Sequence, residues 1–333
     1  MSAPGDDWRP SASPERLRQR AALLQRAREF FAARALTEVD TPLVVNAPVS
    51  DVHIHSATVR LSADPAAAAA PLYLHTSPEY AMKRLLAAGS GDSYQISLVV
   101  RGFECGRLHN PEFTLIEWYR VGFSLPRLME EVEALVRELL GTNAPGASER
   151  ISYRDAFLRE LGLDPLSAPE TTLAQAAQPL ALGGAGATSA TGLGMSRDDW
   201  LELLMGAIVG PRLGSGTLTI VHSYPASQAA LARLDPADPR VAQRFELYCA
   251  GIELANGFHE LASPAEQRAR FAADNAQRRR LGLPVSQLDE RLLAALTQLP
   301  DCTGVALGFD RTLMLAVGAT SIEEVLAFPT ARA

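Results

Sequence analysis

The chain has 333 residues, 47% hydrophobic and 21% charged, with a formal net charge of −7. That composition is globular, and the length suits two domains or one large domain that needs no disulfide or structural metal. The acidic balance disfavours a reader of long nucleic-acid backbones, and no apolar run approaches the ~20 residues that span a bilayer. Residues up to Arg20 are charged and proline-rich, without the apolar core of a signal peptide. Cys105, Cys249 and Cys302 are far apart, odd in number and form no CxxC pair, which predicts free thiols in a reducing compartment and a cytoplasmic protein. The basic residues are almost all arginine, with Lys83 the only lysine.

In chain order, apolar residues at Leu17, Leu24, Ala27, Phe31 and Leu36 predict an amphipathic helix over Pro14–Leu36. Thr37–Pro42 (TEVDTP) breaks it and opens an extended segment to Val45. Ser62–Pro71 is an alanine-rich loop, and Tyr73–His75 a short strand. Ser77 is a plausible cap and Pro78 a first-turn residue for a helix running through Lys83 to Leu86. Tyr94–Arg101 and Glu112–Val121 predict a long antiparallel hairpin around the polar loop Gly102–Pro111. Helices are predicted over Leu125–Leu140 and Ile151–Leu161. The Ala/Gly-rich stretch Thr171–Arg197 reads as a weak helix and then a flexible loop at about 183–194. Trp200–Val209 is helical, Thr217–His222 and Arg244–Glu253 are strands, Pro264–Gly282 and Asp289–Leu299 are helices, and Gly304–Val317 is a strand or turn entering a helix. No internal repeat is present. The pattern predicts an α+β fold, an antiparallel sheet flanked by helices.

Three clusters carry chemistry. In the hairpin VVRGFECGRLHNPEFTLIEWYR, Phe113, Leu115, Glu117 and Tyr119 share one strand face. Arg101 on the facing strand and Arg107 and His109 in the loop add cationic groups. Arginines beside an aromatic plate suit a nucleoside triphosphate, and a solvated hairpin with scattered charges is the competing reading. In RFELYCAGIELANGFHEL, Glu246, Glu253 and Glu260 recur at sevens in apolar surroundings, where unpaired acids are costly unless they bind cations. A charged helix face is the competing reading, which Gly251, Asn256 and Gly257 weaken. In GVALGFDRTLML, glycines and Arg311 stand at a helix start, a geometry that can receive phosphate. A glycine-containing strand entering an ordinary capped helix competes with it.

In this order the clusters resemble the signature motifs of class II aminoacyl-tRNA synthetases of the lysyl subgroup. TEVDTP with Pro42 resembles motif 1, Arg101 with RLHNPEF motif 2, and GVALGFDR motif 3. The resemblance spans Glu15 to Phe328. TSPEYAMKRLL, GIELANGFHEL, PASQAAL and DCTGVALGFDR are most similar to truncated lysyl-tRNA synthetase paralogues that join (R)-β-lysine to elongation factor P.

The resemblance implies one catalytic domain over 1–333 with no anticodon-binding domain, working as a homodimer through the Pro42 region. It implies ATP and Mg²⁺ as cofactors, activation of the amino acid as an adenylate, and transfer to a lysine ε-amine of elongation factor P, with no tRNA expected. Arg101 would bind the α-phosphate and Arg311 the γ-phosphate, as the catalytic pair. Phe113 would stack on adenine, Arg107, His109 and Asn110 would line the nucleotide side, and Gly308 with Glu246 and Leu247 would complete it. Glu246 and Glu253 would hold Mg²⁺, with Glu253 also close to the amino acid. Ser77 and Glu79 would face the amine nearer the carboxylate, Glu117, Tyr119 and Glu260 the distal amine, and Asn256 the carboxylate. Ala306 stands where lysyl-tRNA synthetases usually have glycine, which favours a β-amino acid. Phe103 stands where motif 2 normally has a glutamate, with Glu104 next to it. A tRNA-charging enzyme and a non-catalytic synthetase-like module are the alternatives.

Overall fold

The computed structural model describes residues 8–61, 70–181 and 195–333, which fall into two compact units. The first comprises residues up to Ala144 together with Glu260–Ala333, and the second Pro145–His259. The loop predicted at about 183–194, and most of Ser62–Pro71, lie outside the described residues.

The first unit opens with α1 (Pro14–Ala32), capped by the Ser13 hydroxyl accepting from the Arg16 amide at 3.2 Å. After it come β1 (Thr37–Glu38), β2 (Val44–Val45), β3 (Thr58–Val59), β4 (Leu72–Leu74), α2 (Glu79–Ala87), β5 (Ser93–Val100), β6 (Glu112–Val121) and α3 (Leu125–Leu140). β1, β5 and β6 lie side by side in a sheet, with β1 parallel and β6 antiparallel to β5. The predicted hairpin is therefore present, and so is α3, over the predicted residues.

Strand periodicity sorts the side chains of β6. Ile116 and Trp118 occupy one face, where Phe31 of α1 lies 5.3 Å from the Trp118 ring and Glu131 of α3 accepts from the indole at 3.0 Å. The apolar stripe Leu128, Val132, Leu135, Val136 and Leu139 of α3 is buried. The opposite face presents Phe113, Leu115, Glu117 and Tyr119.

The second unit contains β7 (Ala147–Ser152), α4 (Tyr153–Leu161), α5 (Glu170–Ala181), α6 (Arg197–Leu204), β8 (Thr217–Pro225), β9 (Val241–Cys249) and β10 (Ile252–His259). Its strands run in the order β10-β9-β8-β7. Two sequence expectations change here. Ala147–Ser152 is a strand parallel to β8, so the helix predicted from Ile151 starts at Tyr153. The strand predicted over Arg244–Glu253 is instead a hairpin. Its two-residue turn, Ala250-Gly251, has φ of 51° and 74°, the signature of a type I′ turn without the usual asparagine that would have announced it. A Cβ at Gly251 would also stand 2.6 Å from the Pro211 carbonyl oxygen.

The chain returns to the first unit with α7 (Pro264–Arg280), α8 (Glu290–Ala295), β11 (Cys302–Gly308) and α9 (Phe309–Ala316). β11 pairs antiparallel with β6. Helices and a largely antiparallel sheet make the fold α+β, as the sequence predicts.

Candidate active site

Register decides what surrounds Glu117. Its direct neighbours are Gln95 on β5 and Ala306 on β11, and those of Tyr119 are Ser93 and Gly304. Paired residues of antiparallel strands share a face. The carboxylate and the phenol therefore stand on a floor of small and polar side chains. The Ser93 and Ser97 hydroxyls and both amide atoms of Gln95 are buried there without a protein partner. Buried polar atoms are nearly always satisfied, so unpartnered ones mark a surface built to meet something polar.

Three carboxyl groups and one ammonium meet above this floor. Glu117 accepts from the Ser77 hydroxyl at one oxygen and from the Tyr119 hydroxyl at the other, both at 2.7 Å. Ser77 also accepts from the Glu79 amide at 3.0 Å, so one hydroxyl ties the turn before α2 and orients the site acid, while the N-cap position itself falls to Pro78 and not to Ser77 as predicted. The helix starts at Glu79, with Pro78 immediately before its first residue. One turn on, the buried Lys83 ammonium lies 2.6 Å from Glu79 and 2.6 Å from Glu260. Glu260 is anchored through its amide, which donates to the Cys302 carbonyl at 3.0 Å. Its side chain packs on Gly304, where a Cβ would stand 2.5 Å from the carboxylate and 2.3 Å from the Tyr119 ring.

One ammonium cannot neutralise three ionised carboxylates, and the proton affinities reflect it. Burial, reinforced by Glu79, pushes the Glu117 carboxyl up to about 7. Burial pushes Glu260 up to about 8 although Lys83 opposes it. Burial works against the Lys83 charge, but Glu260 and Glu79 together outweigh it and raise that ammonium above its ordinary value. Burial and the nearby carboxylates keep the Tyr119 phenol protonated, as a donor.

A cationic cluster lies in the loop after β5. The Arg101 guanidinium is 5.1 Å from the Phe113 ring centroid and donates to the Thr76 carbonyl at 3.2 Å. Arg311, in the first turn of α9, donates to the Leu108 carbonyl at 3.2 Å and to the His109 ring at 2.5 Å. Burial and the charges of Arg311 and Arg101 hold His109 down to about 4, so the imidazole is neutral and accepts. Asp310, next in sequence to Arg311, faces the other way. It pairs with Arg20 of α1 and accepts from the Thr114 amide at 2.6 Å. This fixes the start of α9 while Arg311 reaches the loop. Arg107 donates to the Thr320 carbonyl at 3.0 Å. Asn110 is buried and pins the loop base, giving its amide to the Glu112 carbonyl at 2.5 Å and accepting from the Thr330 amide at 3.0 Å. Phe103 is 87% exposed with φ of 68°, a left-handed conformation unusual for an aromatic residue, its ring edge-on to His55. Glu104 stands 3.8 Å from Arg101.

In the second unit, Glu246, Glu253 and Asn256 share one face of the β9–β10 hairpin, not a helix. Glu253 pairs with Tyr248 and Asn256 with Glu246, and a bulge between Glu253 and Ala255 brings the odd-spaced pair to the same side. Half-buried Arg244 organises the face. It donates to Glu246 at 2.6 Å and to Asn256 at 3.3 Å, while Tyr248 donates to the second Glu246 oxygen at 2.6 Å. Leu247 alternates into the core, leaving only its backbone to a ligand. Two carboxylates on one face suit a hard divalent cation that completes its shell with phosphate and water oxygens. Both Glu246 oxygens are engaged by Arg244 and Tyr248. Among the described residues no set of three His, Cys, Asp or Glu side chains is placed to hold a metal alone.

Of the residues named from sequence, the first unit gathers Ser77, Glu79, Glu117, Tyr119, Glu260 and Ala306 around one pocket. Arg101, His109, Phe113 and Arg311 form a second cluster, with Gly308 just before α9. Sequence reasoning assigned no role to Lys83, Ser93, Gln95, Gly304 or Arg244. The alternation Ser93-x-Gln95-x-Ser97, polar at every second residue of a buried strand, was the available signal for two of them.

A profile of the tRNA synthetases class II (D, K and N) matches residues 6–332. The chain is 49% identical to the elongation factor P--(R)-beta-lysine ligase of Vibrio cholerae over 98% of its own length and 99% of that protein's. It is 49% identical to the protein of the same name from Hamiltonella defensa and 48% identical to that from Proteus mirabilis, in each case over 98% of both chains.

Proposed function

Because the chain belongs to the class II tRNA synthetases of the D, K and N group, we propose that it is an ATP-dependent ligase that activates (R)-β-lysine and joins it to a lysine ε-amine of elongation factor P. The observation that carries this reading is the cluster of half-buried Glu79 with buried Glu117 and Glu260 within a chain nearly half identical, end to end, to ligases so named. A diammonium substrate needs several acids and hydroxyl acceptors, and an apolar pocket would reject it.

In the first step the substrate carboxylate attacks the α-phosphorus of ATP, forming the acyl-adenylate and releasing pyrophosphate. Arg101 at the α-phosphate and Arg311 at the γ-phosphate neutralise developing charge, and Phe113 offers adenine a stacking face. Neutral His109 holds the Arg311 fork in place. Asn110 supports this loop, and Gly308 gives the nucleotide room beside the backbone. Mg²⁺, when bound by Glu246 and Glu253, supplies further neutralisation of the phosphates. Ser77 and Glu79 receive the amine nearer the carboxylate, Glu117, Tyr119 and Glu260 the distal one, and Asn256 the carboxylate. In the second step the acceptor ε-amine attacks the adenylate carbonyl. An amide forms, AMP departs, and the amine gives up its proton. The Ala306 methyl, paired with Glu117, shapes the space around the carbons near the amine and favours the β-isomer. The enzyme works as a cytoplasmic homodimer formed around Pro42.

Purified protein with Mg-ATP and (R)-β-lysine should add the mass of one β-lysyl group to elongation factor P and leave tRNA uncharged. No mass gain on the factor, or lysyl-tRNA in an acid gel, would refute the reading.

A further inference from the structure

Lys83 is used by no step above, yet it sits at the centre of the acidic pocket. It is the only lysine in the chain and is buried. Its ammonium takes Oε1 of Glu79 and Oε2 of Glu260, both at 2.6 Å. Glu260 Oε1 is buried with no hydrogen-bond partner. Glu117 is held separately, by Ser77 and Tyr119.

We propose that Lys83 is a positioning residue that sets substrate specificity by occupying one oxygen of Glu79 and one of Glu260, so that each acid offers its remaining oxygen to a different ammonium of a diamine substrate. The inference rests on the diamine reading of the pocket. Its physical basis is twofold. Two adjacent carboxylates largely shielded from water and without a counterion share a proton or turn apart instead of both staying ionised. A fixed internal cation instead opposes protonation of Glu260 and keeps both aimed. Once all three acids are ionised, it leaves three carboxylates against one ammonium, a formal surplus of two negative charges that a diammonium ligand matches and a monoammonium ligand does not.

Two measurements test this. In pyrophosphate exchange, Lys83→Met should raise the KM for (R)-β-lysine at least tenfold and leave the KM for ATP within about twofold. It should also shrink the preference for the diamine over its analogue lacking the distal amine by at least tenfold. A purely structural role would lower the melting temperature and the active fraction without moving that ratio. An unchanged β-lysine KM or preference overturns the proposal.

Should the variant not fold, the wild-type protein still answers. Labelled with ¹⁵N-lysine, it has one side-chain resonance. That resonance should stay protonated beyond the pH at which free lysine titrates, and should shift when (R)-β-lysine is added but much less with the monoamine. Ordinary lysine titration, or equal response to both ligands, overturns the proposal. Wild-type exchange with β-lysine in the same series separates the two failures, because its absence removes the diamine reading as well.

Discussion

At Gly304 a hydrogen atom stands where any other residue would place carbon 2.3 Å from the Tyr119 ring and 2.5 Å from Glu260. Gly304→Ala should therefore push Tyr119 or Glu260 out of place. The overpacking should destabilise the fold by about 1–3 kcal/mol, read by urea unfolding, and the KM for the amino acid should rise while that for ATP stays put. Protonation gives a second test at this scale. Glu117 and Glu260 have carboxyls raised to about 7 and about 8, so at low pH they carry protons that a cationic ligand must displace. Binding strengthens as these protons leave. The KM for (R)-β-lysine should fall by roughly tenfold from about pH 6 to about pH 8.5, and calorimetry in buffers of different ionisation enthalpy should register proton release. A flat profile would mean that neither carboxyl meets the amines.

At the scale of elements, β6 and the β9–β10 hairpin do most of the positioning. Strand alternation sends Trp118 to α3 and Glu117 to the pocket, so one strand serves core and site at once. The hairpin depends on Arg244. Its removal leaves Glu246 without its cationic partner on a buried face, and Arg244→Met should destabilise the protein by about 3–5 kcal/mol, measured by denaturant titration. Loss below about 1 kcal/mol would show that Glu246 finds another partner. The loop after β5 is fastened by Arg311 to His109 and the Leu108 carbonyl. Arg311→Met removes both fastening and charge, so the KM for ATP in pyrophosphate exchange should rise at least tenfold (about 1.4 kcal/mol) with little change for the amino acid.

At the scale of the molecule, the length of the chain matches that of its relatives almost end to end. No helix among the described residues is long and apolar enough to cross a membrane. Light scattering should give twice the chain mass if the segment around Pro42 joins two copies, and charged substitutions at neighbouring Leu43, which is exposed, should yield monomers.

What the sequence determined by itself was local and periodic. Its alternation put Glu117 and Tyr119 on one face, its apolar spacing located α1, and its three motifs in order pointed to the family. Those signals survive in one dimension because they depend on near neighbours along the chain. It did not reveal the turn at Ala250-Gly251, since alanine rarely adopts the left-handed backbone and nothing nearby announced it. Nor did it reveal that Lys83 clasps Glu260, 177 residues away, or that Arg244 joins Glu246 on its own strand to Asn256 across the hairpin. These contacts exist only once strand register is fixed. Register depends on how distant strands pack, and that is where the tertiary structure decided which acids bind and which are bound.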